Sequence, residues 1–527
     1  MSAHRSLAKA GLLVSGAFLV SRVLGWLRYV VMVEAFGAGR DLDAFLAAFR
    51  LPDLMFQLVA AGALSSAVIP IAAALFAAGD ESRTWRVVSS IANLMLVALV
   101  VLAVVVFVGA PWIVPLITPG FVADPAKLQT TIDLTRIMLL SPIFLALGSL
   151  ATSVLNAQNR FAASVLAPIV YNLAIIAGTI FLAGPLGVAG LAVAVVAGSI
   201  GHLLIQVPPL LRLGYRYAPR IDLEDDQARR ALVLMAPRAV GLGVTQITFV
   251  VVTAIASTFG DGGLSAFQLA FVLLQIPLGV IGVPLGVVVL PALSRDAALG
   301  NAEEFAGLVS RALRLLVFVM VPIAGVGIVL ARPLVEVVFG GDDTAPRTLE
   351  LIALTLQTFL LGLTAHAMIA VLARAFYARQ DTRTPVAAAV VSVVFNTSLS
   401  VVLGLGLNLG LAGIGLAIAI GAWIEALILL AILRARAADL RVRPLGLVAL
   451  RAVAATVAAV AVTLPLAGAL RIIGPDAPSR LETTLLMLVA GSVGLAVYLG
   501  LAAALRIPEL PSIVGVMADL LRRPRRA

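Results

Sequence analysis

The residues best placed to do chemistry are charges set inside apolar sequence, and they crowd into positions 12–78. Arg22 and Arg28 interrupt the first hydrophobic stretch, and Asp43, Arg50 and Asp53 lie in or at the start of the second. An ion in hydrocarbon costs roughly 2.5–3.5 kcal/mol on insertion scales, so such side chains face a helix-bundle interior or a wet cavity. The spacing from Arg22 to Arg28 is about 600° of helical rotation, which leaves the two about 120° apart and able to flank one cavity. Guanidinium groups suit planar, two-pronged binding of phosphate or carboxylate. Covalent chemistry has few candidates. There is no cysteine, which removes thiol nucleophiles, thiolate metal sites and disulfides together, and the three histidines, His4, His202 and His366, are scattered. No metal site and no catalytic residue is expected.

The elements that must hold these charges are helices in a membrane. Of 527 residues, 61% are hydrophobic and 12% are charged, against about 25% charged in soluble domains. Fourteen apolar segments long enough to span a bilayer follow one another, from 9–34 to 482–505. They lack the alternating pattern of an outer-membrane barrel, so the fold class is an all-α polytopic membrane protein of about 14 transmembrane helices. Pro52 and Pro70 in the second segment, and Pro277 and Pro284 in the eighth, call for bends. The net charge of +10 is read as membrane topology, with no nucleic-acid partner. Arginines alternate between loops as the positive-inside rule requires: Arg83, Arg160, Arg216, Arg295, Arg379 and Arg436 mark one side, whereas little beyond Arg40, Lys127, Arg347, Arg471 and Arg480 marks the other. Both termini are therefore expected in the cytoplasm. The basic start (His4, Arg5, Lys9) resembles a signal peptide, but Arg22 interrupts its continuation and it is read as a retained first helix.

The sequence also repeats itself. Phe36-Gly37-Ala38-Gly39, then Ala44-Phe45, Pro52 and Pro70, is echoed by Phe259-Gly260-Asp261-Gly262, then Ala266-Phe267, Pro277 and Pro291. Likewise NAQNRF (156–161) with Asn172 is echoed by YARQDTRTP (377–385) with Asn396, and all offsets fall between 221 and 225 residues. The expected organisation is an N-terminal lobe of six spans at 1–220, a C-terminal lobe of six spans at 221–440, two further helices at 441–505 and a basic cytoplasmic tail at 506–527. Two similar lobes without a nucleotide-binding motif point to a secondary transporter with a midplane site.

These strings resemble a known family. SRVLGWLRYVVMVEAFGAGRDLDAFLAAFRLPDL (21–54) with AAGALSSAVIP (60–70), LNAQNRFAASVLAPIVYN (155–172) and FYARQDTRTPV (376–386) are similar to the signatures of the MurJ/MviN lipid II flippases, within the multidrug, oligosaccharidyl-lipid and polysaccharide exporters. The resemblance implies a cationic cavity for an undecaprenyl-diphosphate-linked peptidoglycan precursor, with a lipid-tail groove beside the last two helices at 441–505. It implies that Arg22 and Arg28 face the diphosphate, that Asp43 is the acidic residue of the DAF motif, and that Arg50 is the basic residue before Leu-Pro. Two departures reduce the positive charge: Phe56 and Ala61 stand where many members have an arginine and a glutamate, and Val272 stands where many have an arginine. Arg238 is a candidate for replacement charge, and Gln57, Gln246, Gln268 and Gln275 are candidate polar lining.

The expected function is therefore a non-enzymatic lipid II flippase of the bacterial cytoplasmic membrane. Expected partners are lipid II or a related polyprenyl-diphosphate lipid, the membrane itself and cell-wall synthesis proteins. No cofactor is expected, and the driver is the membrane potential or a coupling ion. The alternatives are export of another lipid-linked saccharide or a drug, and a transport-inactive cell-wall scaffold.

Overall fold

A computed structural model describes residues 2–59, 63–222, 224–341, 343–437, 439–469, 479–511 and 515. Within these, the side chains of 2–15, 18, 63–67, 228, 231–232, 234–245 and 247 lie outside the description. Every regular element among the described residues is helical. The chain opens with α1 (Ser2–Phe36), α2 (Arg40–Val59), α3 (Ala63–Ala77), α4 (Glu81–Ile117), α5 (Pro125–Met138), α6 (Ser141–Ala157), α7 (Phe161–Leu186), α8 (Ala189–Leu204), α9 (Val207–Leu211) and α10 (Asp226–Ser257). It continues through α11 (Gly263–Pro277), a π-helical turn at Leu278–Gly282, α12 (Val283–Leu299), α13 (Ala302–Phe339), α14 (Pro346–Leu360) and α15 (Leu363–Ala378). Last come α16 (Arg383–Leu399), a π-helical stretch at Ser400–Gly406, α17 (Gly410–Arg436), α18 (Arg443–Ala469) and α19 (Arg480–Ala504).

Local chemistry sets many of the ends. Asp80 caps α4 by accepting from the Arg83 N–H at 2.9 Å, and Asp124 caps α5 by accepting from the Lys127 N–H, with Pro125 in the first turn where its missing donor is harmless. Ser479 and Glu482 form a reciprocal capping box at the start of α19. Gly300, at φ +73°, ends α12 in the left-handed region.

Ten helices among the described residues are long and apolar enough to cross a membrane, and eleven spans result when α14 and α15, bent by 46° at their junction, count as one. The other three of the fourteen expected spans fall on α1, on α2 with α3, and on α10, each of which includes residues or side chains outside the description. Large apolar side chains such as Trp112, Leu116, Phe181 and Val288 are each more than 70% exposed. In water such a surface would aggregate, whereas in lipid it is the ordinary outside of a bundle. The chain is a multi-pass membrane protein.

By packing, the chain divides into two compact units, Met1–Ser265 with Gly341–Ala345, and Ala266–Gly340 with Pro346–Ala527. In the first, α1 runs along α7 and α7 along α8, while α2 packs on α5, α6 and α10. The α7–α8 pair is close because its contacts are small: a Cβ at Gly178 would lie 2.2 Å from the Ala194 Cβ. By sequence self-similarity α10 opens the second repeat, yet it packs against α2, α3 and α4 of the first unit. In the second unit, α13 packs on α14, α15, α18 and α19. There the Tyr498 hydroxyl donates to the Phe318 carbonyl at 2.6 Å, and Phe359 meets Phe267 edge-on at 5.5 Å.

Candidate functional site

The charged cluster lies in the first unit, on α1, α2, α7 and α10. Arg28 on α1 stacks over the Tyr29 ring with Cζ 5.0 Å from its centroid, and Tyr171 on α7 lies within reach of its charge. Arg50 on α2 donates through Nε to Thr253 Oγ1 at 3.1 Å and lies 5.5 Å from the Phe249 ring centroid, both on α10. Asp53, one turn along α2, lies within range of the Arg50 charge and near Gln57. Asn172 fastens α7 to α1 within the cluster, donating to the Pro168 carbonyl at 3.0 Å and to the Ser21 carbonyl at 3.4 Å. The arrangement puts two guanidinium groups and one carboxylate in helices that are otherwise apolar. An anion can be held there by charge and by fork-like donors without any bond being made or broken.

A second cluster surrounds Asp43, which is fully buried near the start of α2. Its Oδ2 accepts from Lys127 Nζ at 2.9 Å and from the Gly262 N–H at 2.8 Å, and its Oδ1 accepts from the Ser265 N–H and hydroxyl, each at 2.7 Å. The carboxylate thus caps α11 from a distant part of the chain, where the helix's free N–H groups and dipole favour an anion. By the repeat, Ser265 stands at the position equivalent to Asp43, one residue before Ala-Phe in each copy. Lys127 also reaches Asp261 at 2.8 Å and lies over the Phe121 ring at 4.1 Å. Around this core Arg40 pairs with Asp124 at 2.7 Å, Gly120 donates to Ser257 Oγ at 3.1 Å, and Ala38 donates to Thr344 Oγ1 at 3.2 Å. The Lys127 N–H and then Arg40 hold Asp124, outside the spans, below the usual carboxylate range. Gly37 makes the last contact feasible: its φ is +65°, and a Cβ there would sit 2.1 Å from the Asp343 carbonyl oxygen.

The remaining expected residues are dispersed. Arg22 is exposed on α1 and Gln246 is half-buried on α10, while Gln268 and Gln275 are half-buried on α11 in the second unit. The Arg238 side chain lies outside the description. Phe56 and Val272, at the positions of the missing arginines, are half-buried apolar side chains. The structure adds Lys127, Tyr171, Phe249 and Thr253. Lys127 was visible as a rare basic residue on its side of the membrane, but its pairing with Asp43, 84 residues away, left no local signal. Among the described residues no group of three or more His, Cys, Asp or Glu side chains could hold a metal.

A family model described as lipid II flippase MurJ matches residues 32–473. The lipid II flippase MurJ of Burkholderia cenocepacia is 34% identical over 403 residues, covering 75% of this chain and 78% of that protein. A probable lipid II flippase MurJ of Rhizobium meliloti is 33% identical over 434 residues, 81% of each chain. In fold, the chain is similar to a solved lipid II flippase MurJ in an inward closed conformation, with a TM-score of 0.77 at 23% identity over 97% of this chain and 100% of that one. It is also similar to an inward-facing multidrug resistance MATE family transporter of the MOP superfamily, with a TM-score of 0.65 at 16% identity over 80% of this chain and 95% of that one. Both the matched length and the identity to curated relatives place the sequence: the chain belongs to the lipid II flippase MurJ family.

Proposed function

We propose that this protein carries lipid II, an undecaprenyl-diphosphate-linked peptidoglycan precursor, from the cytoplasmic to the outer leaflet of a bacterial cytoplasmic membrane by alternating access. The observation that carries the reading is the arginine cluster on membrane-embedded helices of a chain in this family, with Arg28 and Arg50 beside Asp53. Arginines in hydrocarbon are costly unless they serve a partner, and a diphosphate is a partner of the right charge and shape. Arg22 and Arg28 bind the diphosphate, and Arg50, Arg238 and the glutamines complete the polar lining. Both termini lie in the cytoplasm, as the loop arginines suggest. The lipid tail follows apolar surface near α18 and α19. A cavity of about 340 Å³ in the second unit, lined by Val321, Ala324, Leu360, Trp423, Val453 and Val457, supports that assignment.

A second reading, transport of a different lipid-linked saccharide, is favoured by Phe56 and Val272, which make the site less basic than in many family members. One experiment separates the two. The protein, and its Arg22→Ala/Arg28→Ala variant, are expressed in a bacterium depleted of its own lipid II flippase while outer-leaflet lipid II is assayed. Wild type is expected to restore outer-leaflet lipid II, and the double variant at equal abundance is expected to lose most of it. Wild type that inserts normally and restores none argues for the other cargo or for a scaffold.

A further inference from the structure

The two copies of the repeat make the same turns but fill them differently. At an offset of 221 residues Gly79 falls on Gly300, both at positive φ, and Asn159 falls on Gln380, at φ +56° and +59°. The backbone bonds agree as well. Gln158, Asn159 and Arg160 donate to the carbonyls of Leu155, Asn156 and Leu155, and Arg379, Gln380 and Asp381 donate to those of Phe376, Tyr377 and Phe376. The turn within the YARQDTRTP string therefore belongs to the fold. Its arginine does not, because the first copy makes the same turn with Gln158 in place of Arg379.

In the first copy this end is closed by rings: Trp85 meets Phe76 edge-on at 5.2 Å and Tyr215 edge-on at 5.3 Å. The same register puts Ala306, Ala297 and Arg436 at those three positions in the second copy. Two rings become methyl groups and the third a guanidinium, and a cavity of about 570 Å³ is left, lined by Asp296, Asn301, Tyr377, Arg379, Gln380 and Arg436 among others. A space of that size admits a small-molecule ligand.

Its polar groups are of two kinds. The partners that the described residues give Arg379 are neutral, the Arg436 carbonyl at 3.4 Å and the Phe305 ring at 5.8 Å, whereas Arg436 is paired with Asp381. Asp296 is buried, and its ion-pair partner Arg295 stands 3.5 Å away with a side chain 73% exposed. Asn301 takes the place of Asp80, which caps α4, yet makes no side-chain capping bond of its own. The cavity thus offers an uncompensated guanidinium, side-chain amides and a buried carboxylate acceptor.

We propose that this cavity is a second ligand site, for a phosphate ester that also carries hydrogen-bond donors, with its phosphate on Arg379 and its donors toward Asp296. A bare anion would meet only repulsion from Asp296; an ester with hydroxyl or ammonium groups satisfies both kinds of group. On the topology proposed above this end faces the cytoplasm, so the ester comes from a soluble nucleotide or from an amine-bearing phospholipid headgroup. The site shares no residue with the arginine cluster of the first unit, and the inference does not depend on the lipid II reading.

The test uses the purified full chain in phosphatidylcholine nanodiscs, whose headgroup has no N–H donor. The soluble probes are adenosine and uridine diphosphates and inorganic phosphate, titrated calorimetrically; the lipid probe is phosphatidylethanolamine replacing part of the phosphatidylcholine, read by melting temperature. Wild type is compared with Arg379→Gln, which installs the first copy's residue, and with Ala297→Phe, which restores its ring. A nucleoside diphosphate is expected to bind at least about tenfold more tightly than inorganic phosphate, or phosphatidylethanolamine to raise the melting temperature, and the responding probe identifies the source. Arg379→Gln is expected to weaken that response by about tenfold and Ala297→Phe to abolish it, each with an unchanged melting temperature in phosphatidylcholine alone. If Ala297→Phe melts early, Arg379→Gln decides, since the same turn already carries glutamine in the first copy. The proposal is overturned if wild type responds to no probe, if inorganic phosphate binds as tightly as the nucleotides, or if Arg379→Gln responds as wild type does.

Discussion

Lys127 is 3% exposed and bridges a fully buried carboxylate, Asp43, and an exposed one, Asp261. Removing one member of a buried ion pair leaves the other charge without compensation, which costs about 3–5 kcal/mol. Lys127→Met is therefore expected to destabilise the protein by about that amount, measured by denaturant unfolding in detergent. Adding Asp43→Asn should recover part of the loss, because an uncharged amide is cheaper to bury. If Lys127→Met unfolds as wild type does, the pair is not what fastens the start of α11 to α2 and α5. Residues of this kind mark the limit of what sequence conveys. Arg28, Arg50 and Asp53 stood out because hydrocarbon makes an ion conspicuous. Tyr171 and Thr253 did not, since a tyrosine or threonine in a spanning helix is unremarkable until its partner is known. Asp43 was legible as a special carboxylate, but its four donors come from two segments far from it in the chain, Lys127 and the Gly262–Ser265 turn.

At the scale of elements, the spans themselves were legible because length and hydropathy are what a bilayer selects. Their irregularities were not. The 46° bend between α14 and α15 and the π-helical stretches at Leu278–Gly282 and Ser400–Gly406 depend on neighbouring helices as much as on local sequence. Helix ends in the loops are a partial exception, since their capping chemistry is local. Asp381, in the YARQDTRTP string, accepts from the Thr384 hydroxyl at 2.6 Å, from the Arg383 and Thr384 N–H groups at 3.0 Å each, and from Arg436 on α17. Thr384 first, and then Arg436, hold this carboxyl at a pKa of about 2, below its ordinary 3.8. A depressed folded-state pKa means that the unfolded chain takes up the proton first. The stabilisation is then complete above about pH 4 and is lost as pH falls from there toward 2. Melting temperature should decline over that interval in wild type more steeply than in Asp381→Asn, which has no carboxyl to titrate. Parallel curves for the two proteins would mean that the α16 start draws no stability from this charge.

For the whole molecule, the electrical work of a transport cycle is fixed by the cargo, whatever the site's own charge. A diphosphate carrying about two negative charges, moved outward against an inside-negative potential, gains about 2.3 kcal/mol per charge per 100 mV. The site residues decide only how that work is split. Whatever charge the site's own residues carry moves outward when loaded and inward when empty, so over a full cycle it cancels and only the cargo's charge is moved, downhill in an inside-negative field. In vesicles bearing the protein in its cellular orientation, an imposed inside-negative potential should therefore raise the outer-to-inner ratio of lipid II, and an ionophore that collapses the potential should return the ratio toward unity. Asp53→Asn should leave the steady-state ratio unchanged, because the cargo's charge is unchanged, while altering the rate at which it is approached. A ratio indifferent to potential would mean that a coupled cation cancels the diphosphate's charge during transit, and the driver would then be that ion's gradient.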